Sequence, residues 1–596
     1  VHGATIAEPR PQPNATVGAR RAFWVFCRHA MKLLPTKPLR LPRLRTYVPA
    51  PTDPKIFWFN SERDDIVNDV VRRILERYQS DEDIELCLND AAYNEIRRHE
   101  ARTDEGAKNR LEYWRGIVRR LSRMSSEGRQ ETLRECATKM AYDVAGNFDP
   151  RVYKFAAKAV PGLLTAVMNP SSVMRSLLDS GARLDELVAA QGPIEKLRNL
   201  QRKGTIVLAP THCSNLDSIA IAWVLLREGL SPVVYGAGKN LFSNPIISFF
   251  MHNLGAYRVD RRIKATLYKD VLKSYSSVMI ERGYHSLFFP GGTRSRSGAI
   301  ERRLKLGLAG SGIDAFSRNH SRGIKRPVYF VPATINYALV LEAETLIDDH
   351  LKEAGRHRYI IEDDEFSRVE RWISFFSRFR ALESACVIRF GEPMDPFGNR
   401  VDDEGHSLAP DGRTIDPMTY VTRRGQAVVD HARDAAYTRE LGESIAHSYG
   451  VETVAMPTQL LAHVIFRRMV RATPGLDLFA RLRHRGDIAI PVEELAADLG
   501  NTRDALLGLE QRGRIHVDAL LRRESPTRIL ERCLATWDGY HLRPVAKIVS
   551  GSVLAEDPNL LLYYANRLRG FAVELSGANE ADRAAARDIE VMELRT

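Results

Sequence analysis

Apolar and polar positions along the chain divide it into stretches of different period. Between residues 56 and 190 apolar side chains recur at helical spacing. Asp65–Tyr78 and Lys108–Met124 each carry one apolar stripe on a charge-laced surface, which predicts amphipathic helices. From 191 to 400 the pattern becomes short apolar runs separated by longer amphipathic ones. Ile206–Ala209, Pro232–Tyr235, Ala256–Val259, Ser286–Phe289, Val328–Pro332 and Cys386–Phe390 read as strands. Helical stretches lie between them, such as Ala265–Glu281, which Gly283 closes. This rhythm predicts an α/β fold, a mainly parallel sheet flanked by helices. A polar Asp/Gly/Pro stretch at 400–420 marks a boundary, and the remainder reads as mostly helical. The predicted organisation is an arm at 1–55, an N-terminal helical domain at 56–190, an α/β domain at 191–400 and a C-terminal helical domain at 401–596.

Composition adds an anionic partner to this picture. The 596 residues carry a formal net charge of +12, which favours nucleic acid, anionic lipid or a phosphorylated substrate. Residues 9–52 hold nine Lys/Arg and no acid. Within them Phe23, Phe26, Cys27, Ala30 and Leu34 share one helical face, and Arg21, Arg28 and Lys32 share another. That is the signature of a basic amphipathic helix lying on a membrane surface. Prolines 35, 38 and 42 then stop the helix. The apolar core around Phe23–Phe26 is too short for a secretory signal. Phe155–Met168 is apolar but broken by Pro161-Gly162. With no run of 18 apolar residues, no transmembrane helix is expected. The six cysteines show no C-x-x-C spacing, which points to a reducing compartment with neither a disulfide framework nor a zinc site.

Two stretches carry chemistry. Phe288-Phe289-Pro290-Gly291-Gly292-Thr293-Arg294-Ser295-Arg296-Ser297-Gly298 reads as a strand running into a tight glycine turn. Arg294 and Arg296 offer planar forks suited to phosphate. The hydroxyls of Thr293 and Ser295 and the turn amides, Gly292 included, complete an anion-binding loop. Upstream, Ile206–Ala209 delivers Thr211-His212-Cys213-Ser214-Asn215-Leu216-Asp217, followed by an apolar helix. His212 and Asp217 form an H-x4-D pair, the arrangement in which a carboxylate orients a general base. The same spacing occurs at His99/Asp104 and His406/Asp411, but only His212/Asp217 lies between a strand and a helix, where ligands gather in α/β folds. Residues five apart on a regular helix point about 140° apart, so the pair converges only if 213–215 form a turn.

With these blocks the chain resembles the glycerolipid acyltransferases, most of all the long bacterial and organellar glycerol-3-phosphate acyltransferases. Besides the two stretches above, the resemblance rests on Gly255-Ala256-Tyr257-Arg258-Val259-Asp260-Arg261 and Val331-Pro332-Ala333-Thr334-Ile335-Asn336-Tyr337, in the same order. Phe390-Gly391-Glu392-Pro393 resembles the domain's end, and Met456–Ala462 a C-terminal segment of the long enzymes. The resemblance implies His212 as base and Asp217 as its orienting partner. It implies Arg261, Arg294 and Arg296 as holders of an acceptor phosphate, with Gly292 and its neighbours on the phosphate or the oxyanion. Acyl-CoA or acyl-ACP would be co-substrate, with no cofactor and no metal, at the cytoplasmic face of a membrane. Cys213 is read as packing, not as a nucleophile.

The chain departs from the family at two places. Many relatives carry Glu where this chain has Gly291, and Val259-Asp260-Arg261 is closer to the lysophosphatidate enzymes, which makes lysophosphatidate the alternative acceptor. Gly236–Asn240 lacks the spacing of a P-loop and is expected to form a turn near the acceptor pocket, and Ile246–Met251 to be buried or to guide an acyl chain. A reading of a different class comes from Pro491–Val517. Helix, a turn at Gly500, helix, a turn at Gly513 and a short strand outline a winged-helix module of a basic nucleic-acid-binding protein.

Overall fold

The structure is a computed structural model. It describes residues 47–100, 105–158, 188–238, 245–354 and 386–576, apart from 425, 429, 539 and 542, together with 583, 584 and 587. The basic arm up to residue 46 and most of Phe155–Met168 lie outside the described residues, as do Lys239 and Asn240 of the Gly236–Asn240 stretch.

A seven-stranded sheet organises the centre. Its strands are β1 (Val188–Gln191), β2 (Thr205–Pro210), β3 (Val234–Gly238), β4 (Ala256–Val259), β5 (Ser286–Leu287), β6 (Val328–Tyr337) and β7 (Cys386–Phe390), in the spatial order β1-β7-β6-β2-β5-β3-β4. The five strands from β6 to β4 are parallel, and β7 turns antiparallel to β6, carrying β1 with it. The expected α/β architecture is therefore present, with a reversed pair at one edge. All six residues of β2 and all ten of β6 are buried, as befits strands covered on both faces.

Several boundaries differ from the periodicity. The chain leaves the sheet already after Leu287, although Phe288 N–H still donates to the Leu208 carbonyl at 3.1 Å. β6 continues past Pro332 to Tyr337 because Ala333–Tyr337 pair with β7 and the buried polar members find partners. Asn336 donates to Thr334 Oγ1 and the Val387 carbonyl, and accepts from Val454 N–H and the Arg567 guanidinium. The expected turn at Gly236-Ala237-Gly238 is not there: these residues pair with Tyr257, Arg258 and Val259 as the end of β3. The helix–turn–helix outline also fails. Val492–Gln511 is one unbroken helix, and the roughly 1 kcal/mol that Gly500 costs it is offset by the packing of the Leu495–Leu509 stripe into the core.

Helices cover the sheet. α1 (Phe59–Arg77), α2 (Asp81–Glu100), α3 (Glu105–Leu121) and α4 (Ser126–Val144) share a hydrophobic cluster with Tyr257, Tyr284 and α8 (Thr266–Glu281). The intervening helices are α5 (Ile194–Lys203), α6 (Asp217–Arg227) and α7 (Pro245–Asn253), and α9 (Gly310–Ser321) and α10 (Ala343–Ala354) follow α8. The C-terminal part joins the sheet's own core. α11 (His431–Val451) precedes α12 (Pro457–Ala472), which is buried almost all round. Thr458 and Gln459 of α12 donate to the carbonyls of Ala338, just past β6, and Tyr337, its last residue. α13 (Val492–Gln511), α14 (Pro526–Trp537) and α15 (Pro558–Ala565) complete that cluster. Among the described residues no helix is long and apolar enough to cross a membrane.

Candidate active site

Sheet order places the candidate residues. β5 and β2 are parallel neighbours, and β2 and β6 are as well, so three loops leave side by side at the carboxyl ends of adjacent strands. Ligands of open α/β sheets collect at such ends.

The β2 loop carries the pair. His212 Nδ1 lies 2.8 Å from Asp217 Oδ2, and that same oxygen accepts the backbone N–H groups of Cys213 (2.7 Å) and Ser214 (3.0 Å). The carboxylate opens α6, where the helix end favours negative charge, and is wholly buried. The intervening residues thus wrap around the carboxylate, which is how residues five apart come to face each other. With Nδ1 committed to the carboxylate, Nε2 is the nitrogen left for a substrate proton. The imidazole stacks on Phe289 from the β5 loop, with ring centres 4.1 Å apart, and keeps 16% of its side-chain surface exposed. Burial, then the nearby Asp217 carboxylate, holds the Tyr337 phenol well above its usual range.

The two other H-x4-D spacings do not form pairs of this kind. His406 is exposed and binds Asp402 (3.0 Å), while Asp411 binds Arg413. His99 is buried against Glu95 on its own helix, and Asp104 lies outside the described residues.

The β5 loop bends as its glycines suggest. Gly292 has φ +73°, and its N–H donates to the Phe289 carbonyl at 2.9 Å. Ser295 N–H donates to the His212 carbonyl at 2.7 Å, which ties this loop directly to the histidine. The Ser295 hydroxyl turns to the Ala299 carbonyl (2.9 Å), so this side chain braces the loop. Thr293 is half-buried in the same turn. Arg294 and Arg296 have different carboxylate partners: Arg294 pairs with buried Glu342 at 3.3 Å, and Arg296 pairs with exposed Glu353. Both still act on Asp349 of α10. Arg261 follows β4 on the exposed surface, and its guanidinium is held below the usual range by surrounding protein and by the like charge of Arg294. Two arginines close enough to feel each other's charge favour an anion nearby. Asp260 is drawn away from that place, into pairs with Arg262 and Arg98.

The sequence reading missed three residues. Glu342, beyond β6, accepts the Ser214 hydroxyl (2.7 Å), the Asn215 N–H (3.1 Å) and Arg294, so one carboxylate clamps both chemistry-bearing loops. Burial pushes it up, opposed by Arg294 and the Ser214 hydroxyl. Its signal in the sequence was an acid inside the apolar run Ala338–Ala343. Glu301 accepts the His212 N–H through Oε1 at 3.4 Å. Arg567 comes from beyond α15. Its guanidinium reaches the Ile335 carbonyl, Asn336 and the Cys213 sulfur, and neighbouring Asn566 donates to the Ser297 carbonyl. Nothing local marks Arg567, which is one of many arginines in that part of the chain. A cavity of about 20 Å³, room for one water, lies between Cys213, Ser295, Tyr337 and Arg567. Burial pushes the Cys213 thiol up to about 12, so it carries no thiolate at neutral pH. Among the described residues no group of three His, Cys, Asp or Glu is placed to hold a metal ion.

The fold thus sets a strand-end histidine, oriented by a buried aspartate, beside an arginine-bearing glycine turn. Residues 193–336, which span every element from α5 to β6, match the sequence model of the family described as Acyltransferase. The chain is 26% identical over 295 residues to the glycerol-3-phosphate acyltransferase of Ectopseudomonas mendocina (47% of this chain, 33% of the relative). It is 29% identical over 251 residues to that of Pseudomonas paraeruginosa (41% and 28%), and 34% over 202 residues to that of Aeromonas hydrophila (34% and 23%). These matches support the resemblance to the glycerolipid acyltransferase superfamily, and the matched part spans about a third or less of each of these relatives.

Proposed function

We propose that the protein is an O-acyltransferase that moves a fatty acyl group from a thioester, acyl-CoA or acyl-ACP, to the hydroxyl of glycerol 3-phosphate. The observation that carries this reading is the contact between the His212–Asp217 pair and the Arg294 loop: a base and an anion site lie one hydrogen bond apart, through Ser295 N–H and the His212 carbonyl. A hydroxyl near a phosphate on one small molecule fits that spacing.

His212 Nε2 accepts the hydroxyl proton as the oxygen attacks the thioester carbonyl. Asp217 holds the other ring nitrogen and stabilises the imidazolium. The tetrahedral adduct collapses, the carbon–sulfur bond breaks, and the proton on Nε2 passes to the departing thiolate. No acyl-enzyme is formed, in keeping with the buried, protonated Cys213. Arg261 and Arg294 hold the acceptor phosphate; the Gly292 N–H is taken by the Phe289 carbonyl, which leaves the Thr293 amide of the turn for the developing negative charge. The reaction in this form calls for neither cofactor nor metal.

Thiol release by the purified protein from an acyl thioester, dependent on glycerol 3-phosphate, tests the reading. Turnover on neither acceptor, glycerol 3-phosphate or lysophosphatidate, with either donor would overturn it. The basic arm at 9–52 extends the proposal to peripheral docking on the cytoplasmic face of an anionic membrane. Each basic residue at the surface contributes on the order of 1 kcal/mol, weakening with salt. Removal of residues 1–50 should therefore lower retention on anionic vesicles while soluble-substrate turnover persists. Unchanged retention would remove the arm from the proposal.

A further inference from the structure

Gly291 is not in the left-handed region, so its backbone would accept a side chain; only Gly292 beside it has positive φ. What stands in the way is Glu301. A Cβ added at residue 291 would lie 2.2 Å from Glu301 Oε1 and 2.7 Å from Cδ, well inside contact distance. The carboxyl group of Glu301 therefore fills the space that a side chain at 291 would occupy. It is held there by a return of the chain over the turn: Lys305 N–H donates to the Pro290 carbonyl at 2.6 Å.

The placement also touches the chemistry. Oε1 accepts the His212 N–H, while Oε2 is sealed from solvent with no hydrogen-bond partner among the described residues. A buried polar atom without a partner is costly unless something meets it, and a protonated carboxyl avoids burying a bare charge there. Burial, with a smaller push from Asp217, raises the Glu301 carboxyl to about 8, against the pull of the His212 N–H and Arg567, so it is mostly protonated at neutral pH. This is the position at which the resembled family often carries glutamate and this chain carries Gly291.

We propose that Glu301 is a positioning residue of the acyl-transfer site, supplying from the segment behind the arginine loop the carboxyl group that a residue at 291 would otherwise bring, and setting the His212 turn against the glycine turn. Its part in acyl transfer rests on the function proposed above; the exchange of space between 291 and 301 does not. With a carboxyl group present at this place, the gap at Gly291 does not by itself open the site to a bulkier acceptor.

The test is a swap in the full chain. Glu301→Ala should lower kcat/KM for glycerol 3-phosphate by about tenfold or more with the thioester KM nearly unmoved, because the lost contacts are on the acceptor side. Glu301→Gln, which keeps the acceptor for the His212 N–H, should recover part of that loss. Gly291→Glu alone should be as poor as Glu301→Ala or worse. Gly291→Glu with Glu301→Ala should return kcat/KM to within about threefold of the parent, the non-additivity expected of two side chains competing for one space. A double variant no better than the poorer single, or an unchanged kcat/KM in Glu301→Ala, would overturn the proposal.

If the parent protein transfers no acyl group, the function fails first and the exchange is still readable in thermal stability. Gly291→Ala should lower Tm in the parent and much less in the Glu301→Ala background. Equal losses in the two backgrounds would overturn the exchange itself.

Discussion

His212–Asp217 and His406–Asp411 have the same spacing, yet one is a buried ring–carboxylate pair and the other is no pair. At the end of β2, Asp217 is fully buried and takes three donors on one oxygen, two of them amides of the turn between it and the histidine. In the 400–420 loop each residue satisfies itself locally, His406 with Asp402 and Asp411 with Arg413, in contact with water. The difference is the supply of partners. A strand end buried among three loops offers no water to an unpaired group, so the chain is driven to converge. A surface loop imposes no such demand. Spacing nominates a pair, and burial decides whether it forms.

The largest effect should separate these two regions outright. His212→Ala should lower turnover by at least about a hundredfold with folding intact, and His406→Ala should leave it within about twofold. A reversed result would move the site to the surface loop. The next effect probes the anion loop. Arg294→Ala should raise the acceptor KM roughly tenfold to a hundredfold, the worth of a charge-assisted hydrogen bond, while the thioester KM stays. Arg294→Lys should recover only part of this, since a point charge cannot reproduce a planar fork. A change confined to the thioester KM would reassign the loop to the donor.

The support behind the buried junction is testable without turnover. Arg567→Met takes a charged donor from the Ile335 carbonyl and from Asn336 Oδ1, leaving them with Cys213 Sγ and Val454 N–H, which should cost on the order of 1–3 kcal/mol in a denaturant titration. Loss of Asp402, by contrast, removes an acceptor from the ring and the backbone N–H of a histidine that is exposed.

Burial gives the junction a pH signature opposite in direction to the loop's, where Asp402 and Asp411 are held below the usual carboxylate range. The Glu301 carboxyl titrates near 4.5 when unfolded and about 8 when folded. Between those values the folded chain keeps a proton that the unfolded chain releases, so stability falls as pH rises through this window and levels off above it. Asp217, Arg567 and the His212 turn are the groups that face this carboxyl. Glu301→Gln should flatten the slope, read as Tm against pH; an unchanged slope would place the proton elsewhere. The smallest effect is at the loop: Asp402→Asn should shift stability by less than about 1 kcal/mol.

Periodicity and motif chemistry made much of the molecule legible. The apolar run Ile206–Ala209 could only be a buried strand, Gly292 could supply the positive φ of the turn, and the strand–helix junction singled out His212 among three equal spacings. These are local facts, carried by side-chain period and backbone freedom. What the chain could not announce locally was which strands would lie side by side. β2 and β5 are neighbours although some 80 residues separate them, and that adjacency stacks Phe289 on His212 and passes Ser295 N–H to its carbonyl. Glu342, Glu301 and Arg567 entered the site the same way, each from a segment with its own unremarkable pattern. Gly236 and Gly500 were misread for the complementary reason. Turn propensity at a glycine is weak, and a paired strand or a buried helix overrides it once tertiary partners exist. The sequence by itself determined most of the elements and the nomination of the His212–Asp217 pair, because both rest on local period and residue type. The tertiary structure alone decided the clamp of Glu342, the space taken by Glu301 and the brace of Arg567, because burial creates the need for partners and only the fold selects them.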